Sequence, residues 1–77
     1  MSEKIFIEVG DDLLEVPRKG DLVEVLHPRD ETTRQGICLH SNVNYHLKGL
    51  RFPIVEVMVD GGIYLLPISQ VRIVQNV

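Results

Sequence analysis

Apolar and polar residues alternate along much of this chain with a period of two, the spacing of a strand that buries one face. The clearest run is Val55, Val57 and Val59, set against Glu56 and Asp60. Asp60-Gly61-Gly62 follows, and these residues tolerate the positive φ that a two-residue hairpin turn demands. Ile63 to Leu66 then read as the returning strand, which Pro67 stops. Ile68-Ser69-Gln70 leaves room for one 3₁₀ turn before Val71-Arg72-Ile73 resumes the alternation. Upstream, Leu22 to Leu26 predicts a first strand with Val23 and Val25 on one face, and Gly36 to His40 a second. His27 to Gln35 is charged, aperiodic and contains Pro28, so it reads as a long first loop. Ser41 to Arg51, with two Asn, Gly49 and scattered bases, reads as a second long connection. Ahead of all these, Ile5 to Val9, Gly10-Asp11-Asp12 and Leu13 to Val16 predict an N-terminal hairpin or arm, ended by Pro17.

The expectation is therefore an all-β protein in two parts, a hairpin or arm over residues 1–19 and a small five-stranded barrel over 20–77. Long first and second connections, a tight third turn and a 3₁₀ fourth connection give a pattern that resembles SH3-like small β-barrels. Tyr64-Leu65-Leu66-Pro67 is similar to the segment before the 3₁₀ turn in eukaryotic SH3 domains. Their proline-rich ligands are not expected here, because that recognition needs a groove of stacked aromatics. Trp is absent, and Gln70 stands where those domains carry a Tyr in the 3₁₀ turn. Gly20-Asp21-Leu22-Val23, Gly36-Ile37 and Leu66-Pro67-Ile68-Ser69-Gln70-Val71 bring the chain closer to short SH3-like proteins of tailed bacteriophages. That resemblance implies a small barrel, in some cases a structural component of the virus particle.

Composition narrows the function classes. The chain has 77 residues, enough for one small core, and is 44% hydrophobic but only 5% aromatic, so that core must be aliphatic. Cys38 is the single cysteine, so neither an intrachain disulfide nor a thiolate metal cluster can close within one subunit. No apolar run is long enough for a membrane span, and Met1-Ser2-Glu3-Lys4 opens neither a signal peptide nor a lipidation motif. The expected place is the cytoplasm, or a virus particle assembled in the host cytoplasm. The net charge of −3 is uneven: residues 1–31 hold nine acids and four bases, and residues 32–77 two acids and four bases. An acidic first half disfavours general nucleic-acid binding, which draws its affinity from Lys and Arg on phosphates.

Candidate chemistry is sparse. Cys38-Leu39-His40 predicts a thiol and an imidazole on one strand face, yet a metal or nucleophile site needs further ligands or an orienting group. His27 and His46 stand apart from it, and Asp11-Asp12 and Asp30-Glu31 read as solvated turn charges. Gly61-Gly62 lacks the Lys-Ser/Thr and the helix of a phosphate cradle. No enzyme, cofactor, metal or small-molecule substrate is expected. In the second connection Tyr45, His46, Lys48 and Arg51 make the best candidates for nucleic acid, through stacking and phosphate contact.

The stronger signal is an excess of apolar residues. With Val55, Val57 and Val59 inward, Ile54 and Met58 face outward; with Val23 and Val25 inward, Leu22 and Leu26 do the same; and Ile63 and Leu65 inward would leave Tyr64 and Leu66 outward. Either the N-terminal hairpin, through Ile5, Ile7, Val9, Leu14 and Val16, or another subunit must cover this second set. The function expected is a non-enzymatic protein-interaction or structural module, a phage virion or assembly component among the settings. Its contact residues would be Ile5, Ile7, Leu22, Leu26, Ile54, Met58, Tyr64 and Leu66, and it would bind a protein partner or itself. A nucleic-acid or transcription-associated barrel is the second class, and an acidic adaptor or inhibitor docking on a basic host protein the third.

Overall fold

The computed structural model describes residues 3–26 and 32–77, and over these the chain is all-β apart from one 3₁₀ turn. Phe6–Val9 (β1) and Asp12–Glu15 (β2) form the N-terminal hairpin, closed by a turn in which Gly10 takes φ 62°. Leu22–Leu26 (β3), Thr33–Asn42 (β4), Ile54–Val59 (β7), Gly62–Pro67 (β8) and Val71–Gln75 (β9) form one antiparallel sheet in the order β8-β7-β4-β3-β9. The 3₁₀ turn occupies Ile68–Gln70, where the residues after Pro67 predict it. Between β4 and β7, His46–Leu47 (β5) and Leu50–Arg51 (β6) form a second, very small hairpin, with Lys48 and Gly49 both at positive φ.

Two expectations about extent change. β4 begins at Thr33 and runs ten residues, so Thr33 to Gln35 belong to a strand and not to the first loop. Polar side chains there are no obstacle, because pairing with β3 recruits the segment: Leu26 lies opposite Thr33 and Glu24 opposite Gln35. Residues 27–31, with His27 and the Asp30-Glu31 pair, lie outside the described residues. The second connection, read as a plain loop, contains β5 and β6, and Arg51 donates from Nε to the Val43 carbonyl at 2.8 Å to brace it.

The core is aliphatic, as the scarcity of aromatics requires. Val16, Val23, Val25, Val55, Val57 and Val59 are buried together with Cys38, Leu66 and Ile68. Ile7, Val9 and Leu14 of the hairpin pack onto this same cluster. The hairpin therefore covers the inner face of the sheet. β2 lies alongside β9 across a shallow cleft lined by Leu13 to Glu15 and Val71 to Ile73, while Ile7 to Gly10 border Arg51 and Pro53.

β4 crosses the core at Gly36, the residue opposite Val23. A Cβ there would sit 2.5 Å from the Met58 carbonyl oxygen and 2.7 Å from Val59 Cγ2, so only glycine lets β4 approach β7 this closely. A Gly→Ala change that fits its backbone stabilises through the unfolded state by roughly 0.4–1 kcal/mol, but overpacking costs about 1–3 kcal/mol. The clash is with backbone and should win. Gly36→Ala is expected to lower the urea midpoint followed by circular dichroism, and an unchanged or higher midpoint would refute the close approach.

The linker between hairpin and sheet is held by a buried carboxylate. Asp21 is fully buried and accepts hydrogen bonds from the Arg18 amide (2.9 Å), the Val77 amide (3.0 Å) and the Asn76 side-chain amide (3.1 Å). Burial alone raises its pKa, but the donors of Arg18, Val77 and Asn76 and the charge of Arg18 outweigh it and bring the group below its ordinary value of 3.8. A depressed folded-state pKa stabilises the protein above the unfolded value, and that contribution fades as pH falls from there through the folded pKa. Asp21→Asn is expected to cost about 2 kcal/mol at neutral pH, from weakened charge-assisted bonds, measured by urea unfolding. The gap to wild type should narrow as pH is taken below about 4; a gap that stays constant would contradict an ionised Asp21.

Candidate interaction surface

Alternation sends every second residue of the five-stranded sheet to the face away from the hairpin, and the strand register decides which of these become neighbours. Leu22 lies opposite Ile37, Ile37 opposite Met58, and Met58 opposite Ile63. Four apolar residues thus form one unbroken row across β3, β4, β7 and β8. Leu22 is half-buried, whereas Ile37, Met58 and Ile63 are 41%, 42% and 61% exposed. Leu65, 58% exposed, stands beside Ile63 on the same face of β8. The next row is Leu65, Glu56 and His40, with Glu56 half-buried and His40 exposed. On the other side Gln35 lies opposite Glu24, which pairs with Arg72. An apolar band bordered by polar and charged residues has the anatomy of an interaction site.

The faces of β8 are the reverse of the expectation. Leu66 is buried at 5% exposure and Tyr64 is half-buried against the core, while Ile63 and Leu65 point outward. The turn explains this. Asp60 and Gly61 occupy it at φ 51° and 80°, so Val59 faces Gly62, Val57 faces Tyr64 and Val55 faces Leu66. Directly opposed residues share a face, which puts Tyr64 and Leu66 with the inward valines. Counting Gly62 as part of the turn shifts the phase by one residue and inverts the whole strand.

Of the other residues expected at a contact surface, Leu26, Met58 and Ile5 are exposed and Ile54 and Leu22 are half-buried. Ile7 is half-buried on the core cluster. Leu66 is spent in the core and belongs to no surface. Ile37, Ile63 and Leu65 were not among the expected contact residues; the hairpin register itself carried the signal for the last two.

The thiol and imidazole do not share a face. The ladder between β4 and β7 slips between Cys38 and His40, with Cys38 opposite Val57 and His40 opposite Glu56. A bulge of this kind adds one residue to β4 and turns His40 to the outer face. Cys38 is fully buried, its sulfur 3.8 Å from Ser41 Oγ, and Ser41 donates its own hydrogen to the Pro17 carbonyl at 2.6 Å. Among the described residues no three His, Cys, Asp or Glu side chains gather as metal ligands.

Tyr45, His46, Lys48 and Arg51 come together on the β5–β6 hairpin, with His46 opposite Arg51. Tyr45 is half-buried, the other three are exposed, and Leu47, Leu50 and Phe52 beside them are exposed as well. The hairpin tip is therefore as apolar as it is basic. Among the described residues no helix is long and apolar enough to cross a membrane. Compared with protein families, with curated proteins and with solved structures, the chain matches none.

Burial pushes the Cys38 thiol pKa upward, and thiolate is the form that reacts. In the native protein Cys38 is expected to resist a disulfide-exchange reagent at mildly alkaline pH and to react fully in denaturant, followed by mass spectrometry. Fast labelling of the native state would contradict its place in the core.

Proposed function

We propose that this chain is a non-enzymatic SH3-like barrel module that binds a protein surface, through the outer face of its main sheet. One observation carries the reading: the apolar row Leu22, Ile37, Met58 and Ile63, with Leu65 beside it, lies on the side the hairpin does not cover. The hairpin satisfies the inner face, so nothing within the described chain is left to dry the outer one. The SH3-like assignment is supported by the sheet order β8-β7-β4-β3-β9, the tight β7–β8 turn and the 3₁₀ turn ahead of β9. A small component that joins repeated subunits of a tailed-phage particle is the setting the sequence resemblance suggests, and a marginal core of this size gains from assembly.

Nucleic acid is the weaker reading, because the basic residues of the β5–β6 hairpin share their surface with Leu47, Leu50 and Phe52 and Arg51 is engaged with Val43. The test replaces Ile37 and Met58 together by Ser. Ile37 and Met58 are 41% and 42% exposed, so each change should cost about 1 kcal/mol, and circular dichroism checks that the double variant is still folded. Light scattering after size exclusion, and partner capture from the native source, should show loss of assembly or of the partner. Retention of both by the folded double variant would defeat the proposal.

A further inference from the structure

β8 is the outermost strand of the five-stranded sheet among the described residues, hydrogen-bonded only to β7. The turn geometry determines which of its backbone groups face the open side. Positive φ at both Asp60 and Gly61 is the type I′ pattern, in which the flanking residues, here Val59 and Gly62, form a hydrogen-bonded pair. Backbone direction alternates from there, so Gly62, Tyr64 and Leu66 bond β7. The Ile68 amide continues the series by donating to the Pro53 carbonyl at 3.1 Å. Ile63 and Leu65 therefore turn their N–H and C=O groups to the open edge.

Natural edges avoid self-pairing with charge, proline, bulges or a covering element. β9 has Arg72 and the neighbouring β2, and β1 runs beside Arg51 and Pro53. Over its central residues β8 has no such charge, proline or bulge: Gly62 to Leu66 contains no charged side chain, the β7–β8 register is regular, and Pro67 comes only at the end; among the described residues no strand pairs with its open side.

We infer that a second copy of this chain adds to the sheet along β8, in antiparallel pairing about a two-fold axis at Tyr64. In that register Ile63 of each copy lies opposite the other copy's Leu65, and both residues exchange N–H···O=C bonds. All the outward groups of Ile63 and Leu65 are then satisfied. Pro67, which lacks an N–H, falls opposite Gly61 at the turn and obstructs nothing. A second copy suits this edge because the pattern is self-complementary and the seam is uncharged, so the net charge of −3 on each chain is not concentrated there. The pairing is also continuous with the outer apolar row. It joins the Ile63 end of one row to the Leu65 of the other copy, and the band then runs from Leu22 of one chain to Leu22 of the next.

The inference rests on the reading of the outer face as an association surface, and the test separates the two. Wild-type protein is examined by size exclusion with light scattering and by amide hydrogen exchange over a range of concentrations, beside Leu65→Pro and Met58→Ser. Pro is tolerated at an edge position whose N–H faces solvent, and chemically synthesised protein with N-methyl Leu65 keeps the side chain if Leu65→Pro misfolds. The expected result is a dimer in which the Ile63 and Leu65 amides gain protection with concentration, and in which either edge variant weakens dimerisation at least about tenfold. A dimer that Met58→Ser dissolves while the edge variants keep it, with fast exchange at Ile63 and Leu65, overturns strand pairing and leaves the face as the association surface. A monomer at every concentration overturns the second copy as occupant. A dimer that neither Met58→Ser nor the edge variants weaken overturns strand pairing and places self-association on another surface, leaving the outer face to the partner-capture test.

Discussion

Asp21 is where three stretches of chain far apart in sequence are tied to one another. Its carboxylate collects the Arg18 amide from the hairpin linker and the Asn76 and Val77 donors from beyond β9, while its own carbonyl accepts from the Cys38 amide on β4 at 2.9 Å. Asn76 also donates to Glu15 at 3.3 Å, so the same point reaches the end of β2. An ionised carboxylate is costly to bury unless its lone pairs are met, and here three donors meet them. The carboxylate keeps its donors only while the linker and the segment after β9 stand in their native places, and a shift of β4 would in turn leave the Asp21 carbonyl without its partner.

With the hairpin pinned at that point, its apolar side has one direction to go. Ile7, Val9 and Leu14 meet the inward valines, and Ser41, donating to the Pro17 carbonyl, draws the linker against β4. The consequence for the rest of the surface follows from period two. Each strand that sends Val inward sends its alternate residues outward, and in β3, β4, β7 and β8 those alternates are apolar where the register makes them meet. The sheet thus packs one face on the hairpin and carries a ladder of Leu, Ile and Met on the other, which no element among the described residues is seen to bury.

Much of the fold is legible in the sequence. β7, β8, the 3₁₀ turn and β9 are set by Val-polar alternation, Asp60-Gly61 and Pro67, all local signals. The hairpin is equally plain from Gly10 and its flanking runs. What fails is phase, length and long-range contact. Every side chain from Ile63 to Leu66 is apolar, so no polar residue marks the outer face, and only the assignment of Gly62 to strand or turn decides it. Thr33 to Gln35 and Ser41-Asn42 carry no strand signature of their own and are drafted into β4 by the partners on either side. The bulge after Cys38 leaves no trace in composition, yet it separates the thiol from His40. Asp21 reads locally as a turn residue after Lys19-Gly20, since its partners Asn76 and Val77 lie 55 and 56 positions away.

The slip in phase also decides which residues association can use. An extended strand of L-residues couples side-chain face to backbone direction, so with Tyr64 and Leu66 outward those two residues would carry the open edge as well. With Ile63 and Leu65 outward, the residues that present side chains to the outer face are also those that present N–H and C=O to the edge. Edge and face then meet along one line, the apolar end of the row. A partner that adds a strand there gains directional hydrogen bonds, which set its register, and apolar contact, which supplies most of the free energy. Register matters more than usual for a partner of this sheet, because a one-residue slip along an uncharged strand would turn every contacting side chain to the wrong face. Pro67 at one end and the tight turn at the other limit that slip.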